Sequence, residues 1–433
     1  MSETLAQLIL QRKGALLTLI ILTAVLLSYG MRYTTFTTDY QAFFDDANPQ
    51  LLAYESIEDT YTQSDNILIV LAPKDGDVFT PRTLALVHEL TEIAWQAPYS
   101  LRVDSITNFQ HAVASGDELV VDDLIPESSE LIEGDLKRIK SIALHEPDLV
   151  NKLISPSGHV TGINITIRLP GAHVSEGAEA VAYIRNKVEE LKLSNPGVDI
   201  YLSGLAMLNN AFAEAAKNDL TTLMPIMYLI ILVLLMLLLR TVAGVLVTLV
   251  IIILSVTIVL GIAGWIGWTL SPPAVSAPTI ILTIAVANCV HILVSYYANM
   301  REGMDKQKAM QESLTVNIYP VFITGLTTII GFLTLNFSEV PPYRMMGNLV
   351  ALGVVAAMVL SLSVLPMVMV MLPGKVKQKP SARVSVLEGF ADWVIKRKFF
   401  LLIFVGIYAV ILLILLPFNQ LEDKFVESLS GVV

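Results

Sequence analysis

Seven apolar runs, each long enough to cross a bilayer, constrain this chain more than any other feature of it. They lie near residues 14–31, 220–239, 242–264, 275–298, 316–337, 345–372 and 399–417, and a spanning helix needs about 20 mostly apolar residues. A soluble domain typically carries about a quarter charged residues. Here 54% of the 433 residues are hydrophobic and only 15% are charged. The expected fold class is a polytopic α-helical membrane protein with a large α+β periplasmic domain. The plan is a cytoplasmic N-terminus and first helix (1–31), the outer domain (32–218), a five-helix cluster (219–373), a cytoplasmic linker (374–398), and a seventh helix opening a second outer segment (399–433).

Orientation follows from the basic residues, because Lys and Arg in short loops stay on the cytoplasmic side. Arg12 and Lys13 precede the first run, Arg240 sits between the second and third, and Arg301, Lys306 and Lys308 follow the fourth. Lys375, Lys377, Lys379, Arg383, Lys396, Arg397 and Lys398 lie between the sixth and seventh. On the other side, WIGWTLSPP (265–273) has no basic residue and the 338–344 loop has only Arg344. The N-terminus is expected inside and the 32–218 domain outside. The first run is read as an anchor, since LLSYGMRY offers no good cleavage site for a signal peptide.

The outer domain alternates strand and helix patterns. NILIVLAP (66–73) reads as a buried strand, and 80–97 as a helix with Thr80 as N-cap and Pro81 in the first turn. A strand is expected over 101–109, a helix from GDLKRIKSIAL, a strand over 159–170, a helix over about 175–193 and a strand over 197–204. That order suggests helices layered on one sheet face. LAMLNNAFAEAAKNDL is read as a helix running straight into the second span. Cys289 is the single cysteine and lies inside a span, so no intrachain disulfide is expected.

The chain also shows signs of a repeat. Shifted by 385 residues, Arg12 and Lys13 fall on Arg397 and Lys398, each pair followed by an apolar span, and Tyr40 falls on Phe425. This suggests the start of a second copy of the helix-then-domain order. The expectation is either a piece of a longer polypeptide or a half-unit that pairs.

Helix, outer domain, five clustered helices: this order, with TTDYQAFFDDANP (37–49), ITGLTTIIGFLTLNFSEVPPYRMMGNLVALGV (323–354) and ILTIAVANCVHILVSYY (281–297), resembles one half of a resistance–nodulation–division (RND) superfamily transporter, near the MmpL-like bacterial exporters. The five-helix cluster is similar to the sterol-sensing domain of Patched and Niemann–Pick type C proteins. The resemblance implies ferredoxin-like porter subdomains and two such halves in a complete transporter. In many members the fourth helix carries an Asp used in proton coupling. Asn288 and Cys289 stand at that place here, so this chain departs from the pattern.

The candidate site residues are therefore intramembrane. Asn288, His291 and Ser295 recur at i, i+3 and i+7, on one helix face. Thr324 and Thr328 in the fifth span, with Gly325 and Gly331 thinning it, suggest a polar seam between the fourth and fifth helices. His291 is expected to relay protons, since imidazole titrates near physiological pH and intramembrane ionisable groups mark ion pathways. Met304, Met310 and Leu314 are read as one face of a surface helix ahead of the fifth span.

No Walker A loop, HExxH, GxSxG or Cys/His cluster occurs, so neither an enzyme nor a cofactor is expected. The net charge of −11 gives no footprint for nucleic acid. Expected partners are membrane lipids, a lipid-like or amphiphilic substrate, and either the second half of the same polypeptide or further copies. Periplasmic or outer-membrane partners are compatible with the plan. The leading reading is a proton-driven exporter in the bacterial inner membrane. The alternative is a non-transporting lipid or sterol sensor built on the same cluster.

Overall fold

The computed structural model describes residues 6–7, 10, 13–37, 39–61, 65–115, 118–125, 131–170, 173, 175–373 and 382–419. Part of the expected linker (374–381) and the expected second outer segment from residue 420, Phe425 included, lie outside them. The chain divides into two units. One holds Met1–Phe36, Thr222–Ser338 and Pro342–Ser430, and the other is chiefly Thr37–Thr221.

Among the described residues, seven helical stretches are long and apolar enough to span a membrane: Lys13–Tyr33, Leu205–Leu239, Val242–Ile266, Pro272–Arg301, Lys306–Phe337, Pro341–Met371 and Lys398–Phe418. The α-helical parts used below are α1 (Lys13–Tyr29), α7 (Met224–Leu239), α8 (Val242–Ile266), α9 (Ala277–Arg301), α10 (Lys306–Leu333), α11 (Pro341–Met371), α12 (Ala382–Lys396) and α13 (Lys398–Leu415).

Without water, helices associate by close packing, which favours small residues at the contact. Gly261 and Gly264 on α8 face α1 so closely that a Cβ would fall on the carbonyl oxygens of Leu27 and Gly30, respectively. Hydrogen bonds fill the same seam: Ser28 Oγ to Thr257 Oγ1 at 3.1 Å, Thr34 Oγ1 to the Leu260 carbonyl at 3.1 Å, and Trp265 Nε1 to the Leu26 carbonyl at 3.2 Å. Tyr29 and Tyr33 each pack a tilted ring against Trp265 at its end, the amphipathic rings that favour a membrane–water boundary.

The surface helix expected ahead of the fifth span is not separate. α10 runs unbroken from its cap, where Asp305 accepts from the Gln307 and Lys308 amides at 3.2 and 3.3 Å. Met310 and Leu314 are fully buried and Met304 is partly buried in the same helix cluster. These side chains therefore face protein. The cause lies in the polar ties at that end: Lys306 Nζ donates to the Leu372 carbonyl at 2.7 Å and Asn299 Nδ2 to that of Ala309 at 3.1 Å. Gly325 meets Met358 on α11, while Gly331 has no atom within 4 Å of a Cβ position and thins no contact.

The second unit is built on a four-stranded antiparallel sheet in the order β3-β6-β2-β7, where β2 is Asp65–Pro73, β3 Ser100–Asp104, β6 Thr161–Ile167 and β7 Val198–Ser203. Helices α3 (Pro81–Trp95) and α5 (Glu176–Ser194) connect β2 to β3 and β6 to β7. This is the βαββαβ arrangement of ferredoxin-like folds. Strand alternation explains it: Ile67, Ile69 and Leu71 pair in register with Ile165, Ile163 and Thr161, and all six are buried. The strand expected over 101–109 stops at Asp104 because Ser105, Thr107 and Asn108 turn their side chains onto nearby groups, Asn108 Nδ2 donating to the Val103 carbonyl at 2.7 Å. A hairpin of β4 (Gln110–Ser115) and β5 (Glu118–Asp123) follows, where the sequence pattern indicated no element.

α6 (Leu205–Asn218) continues through a π turn at Asp219–Leu223 into α7. Pro225 lacks an N–H and its ring would strike the carbonyl four residues back, so the widened turn sits where an α turn is disfavoured. α6 is clamped to α5 by Arg185, whose Nη1 and Nη2 donate to Glu214 Oε1 and Oε2 at 2.7 and 3.3 Å. Arg185, and to a lesser degree Asn210, hold the Glu214 carboxyl below its usual range. A depressed carboxylate contributes stability above its unfolded pKa and loses it as pH falls through the lowered value. Both side chains are about a third exposed, so Glu214→Gln should cost only about 1 kcal/mol at neutral pH. Faster amide exchange along α6 at pH 7, narrowing in acid, is the expected readout.

Asp65 behaves oppositely. Burial, then the charges of Asp39 and Glu58, push its carboxyl above the usual range. Such a group weakens the fold once pH rises past the unfolded pKa, and most above the raised one. Asp65→Asn is expected to raise the thermal midpoint at neutral pH and leave it unchanged below the ordinary carboxylate range. A lower midpoint at neutral pH would contradict this.

Candidate functional site

α9 places the three fourth-span candidates in three different surroundings. Asn288 is buried, with 3% exposure, and its Nδ2 has no hydrogen-bond partner among the described residues. Two turns earlier Ile281 fills the space beside Gly353 on α11. One turn earlier Ala285 clusters with Ile252 on α8 and Ala357 on α11. Asn288 thus follows the face that packs into the bundle. An unsatisfied buried amide costs about 1–3 kcal/mol, so its retention calls for an explanation beyond packing. Its neighbour Cys289 is fully buried and meets the Thr248 hydroxyl.

His291 lies on another side of the helix. It is exposed, as are Thr283, Ala287, Val294 and Ala298, which recur at helical spacing along one face of α9. His291 has no hydrogen-bond partner among the described residues. Apart from Val294 this face is small or polar. It resembles neither a lipid-facing surface nor a buried one.

Ser295 is half-buried and takes part in the contact with α10, but through residues the sequence reading did not single out. Asn317 Nδ2 donates to Ser295 Oγ at 3.0 Å and to the Ser313 carbonyl at 2.8 Å, and Ser313 Oγ donates to the Ile292 carbonyl at 2.7 Å. This is the polar seam between the fourth and fifth spans, and it sits about two turns N-terminal of Thr324. Thr324 is exposed. Thr328 Oγ1 donates to the Thr324 carbonyl of its own helix at 2.7 Å. The structure therefore brings Ser295 together with Asn317 and does not bring Thr324 or Thr328 to His291. A signal was present: Asn317 falls seven residues before Thr324, on the same helical face.

The second candidate is a groove of about 830 Å³ in the α+β unit. Leu68, Asn66, Asn164 and Leu153 contribute to it, along with the rings of Trp95 and Phe109. Asn66, Leu68 and Asn164 point away from the buried isoleucines because side chains alternate along a strand. Asn66 Nδ2 donates to Asn164 Oδ1 at 2.7 Å across β2 and β6. Arg102 is paired with Asp104, and Lys152 with Asp148, each at 2.7 Å. Lys152 holds the Asp148 carboxyl below its usual range. Apolar and aromatic surface beside paired charges is suited to a molecule with an apolar body and a polar head. Asparagine is depleted in strands, so Asn66 and Asn164 were the readable signal for a strand face that is not core.

The chain is 22% identical over 368 residues to a protein of Methanocaldococcus jannaschii whose name goes no further than a membrane protein; the alignment covers 83% of this chain and 91% of that one. The MMPL family model matches residues 55–397. That match takes in the α+β unit from the middle of α2 (Pro49–Thr60) onward, all five clustered spans, and α12. The chain belongs to the MMPL family of the RND superfamily.

Proposed function

We propose that this chain is a proton-driven secondary transporter that exports lipid-like amphiphiles from the bacterial inner membrane. MMPL proteins are membrane transporters rather than enzymes. The observation that carries the finer reading is the exposed imidazole of His291 on a face of small residues inside a span. A polar ionisable group facing hydrocarbon is costly, by about 2.5 kcal/mol or more for a charge at the bilayer centre. The face is therefore covered by a second five-helix cluster, from a further copy or a further part of the polypeptide. His291 is the side chain assigned to pass protons along that face. The Lys and Arg of the short loops support a periplasmic α+β unit, its groove receiving the apolar body and polar head of the cargo.

In vesicles holding the purified protein, an imposed pH gradient is expected to speed the movement of a fluorescent lysophospholipid between leaflets. Equal rates with and without the gradient would overturn the proposal. Asn288 in place of a carboxylate favours a second reading, a lipid sensor using the same helix cluster, in which gradient-driven movement is absent but lipid binding persists.

A further inference from the structure

We propose that the head recognised in the α+β groove is a zwitterion, one phosphate-type anion and one ammonium, rather than a net anion. The inference rests on the groove being the cargo site. Strand register sets the arrangement. Asp104, Asn164 and Leu68 stand in one row across β3, β6 and β2, and Arg102 and Asn66 stand in the next, on either side of Thr166. Residues two apart on a strand share a face and lie about 7 Å from each other. A cation and an anion therefore lie side by side along the β3 edge, with the apolar Leu68 two strands away. The segment before β6 adds a second pair, Asp148 and Lys152. Among the described residues these four supply all the formal charge of the lining, two of each sign.

Each pair has bonding capacity to spare. Arg102 Nε donates to Asp104 Oδ1 at 2.7 Å, and neither terminal nitrogen has a hydrogen-bond partner among the described residues. Lys152 Nζ donates to Asp148 Oδ1 at 2.7 Å, one of the three hydrogen bonds an ammonium can make. Both cations are largely exposed, and exposed pairs contribute little, so a ligand reorganises them at small cost. A head of one sign suits this lining poorly: an anion held by Arg102 and Lys152 leaves two carboxylates beside it. A zwitterion meets both signs, its phosphate taking the free N–H groups of the guanidinium and its ammonium the outer carboxylate oxygens. The chain beyond the phosphate then lies on Leu68, Leu153 and the rings of Trp95 and Phe109, the apolar part of the same lining.

The test uses the purified full chain in uncharged maltoside micelles and reads the quenching of tryptophan fluorescence by lysophospholipids brominated on the acyl chain. The chain has four tryptophans, so the groove's share is the quenching lost in Trp95→Phe. Lipids with phosphoethanolamine and phosphocholine heads should quench that share at concentrations about two- to fivefold lower than the phosphoglycerol lipid, the ratio one exposed charge contact supports. Asp104→Asn together with Asp148→Asn leaves two cations and should reverse the order. Asp148→Asn alone, at a side chain 72% exposed, keeps the test independent of how the double variant folds; it should narrow the ratio. Equal quenching by all three heads, or tighter binding of the phosphoglycerol lipid to the unaltered chain, would overturn the proposal and leave the groove as the cargo site. Quenching by none of the three, or the same quenching in Trp95→Phe, would overturn both.

Discussion

His291→Ala is expected to reduce gradient-driven transport by at least about a hundredfold, the lower range for losing a positioned proton-transfer group. The variant should still insert and fold. His291 is exposed and has no hydrogen-bond partner among the described residues, so truncation breaks no hydrogen bond within the chain. That distinguishes it from Asn288, whose burial between α8, α9 and α11 makes any change there a packing change as well. His291→Gln, which keeps a polar side chain but cannot titrate, should behave like the alanine variant. Wild-type transport in either variant under the same gradient would remove His291 from the mechanism.

The second large effect is structural. Gly261→Leu or Gly264→Leu is expected to prevent α1 from seating on α8, and Gly261→Ala to cost about 1–3 kcal/mol, as overpacking of a tight contact does. The new Cβ would meet backbone, the carbonyls of Leu27 and Gly30, which cannot rotate away. Pushing α1 off would also strain the three hydrogen bonds that cross the seam. Unfolding of the purified protein in mixed detergent micelles should show a lower midpoint for each variant. Gly331→Ala serves as the control, since nothing lies near that position; it should leave the midpoint unchanged or raise it slightly, as alanine suits a helix better than glycine. Equal shifts at 261 and 331 would show that the close approach contributes nothing.

Much of this architecture was legible in the sequence because hydropathy over 20 residues is a strong signal. All seven runs correspond to helices, and the short apolar run NILIVLAP marks β2 to within one residue. Thr80 caps α3 as its position suggests, accepting from the Thr83 amide at 3.2 Å. Short elements were less readable. The β4–β5 hairpin is exposed on both faces, so its residues carry no alternation to detect.

The site was legible in residue type more than in arrangement. Spacing of i, i+3 and i+7 puts Asn288, His291 and Ser295 on one broad face, yet helix packing divides that face among buried, exposed and half-buried surroundings. Which part is covered depends on neighbouring helices, and a single helix's periodicity does not contain that information. Met310 and Leu314 make the same point, because an amphipathic pattern looks alike whether its apolar side meets lipid or protein. The groove over Leu68 depends on cross-strand partners about a hundred residues apart, Asn66 and Asn164, which only the strand register brings together.

Proton movement coupled to cargo tests the central claim most directly. Vesicles carrying the protein and a trapped pH-sensitive dye would be held without a gradient, then given a lysophospholipid from one side. The account predicts a pH change inside that begins with cargo addition, scales with the amount of protein and disappears in His291→Ala. An unchanged internal pH, with the lipid bound as measured by co-sedimentation, would contradict the transporter reading and leave a lipid sensor in its place.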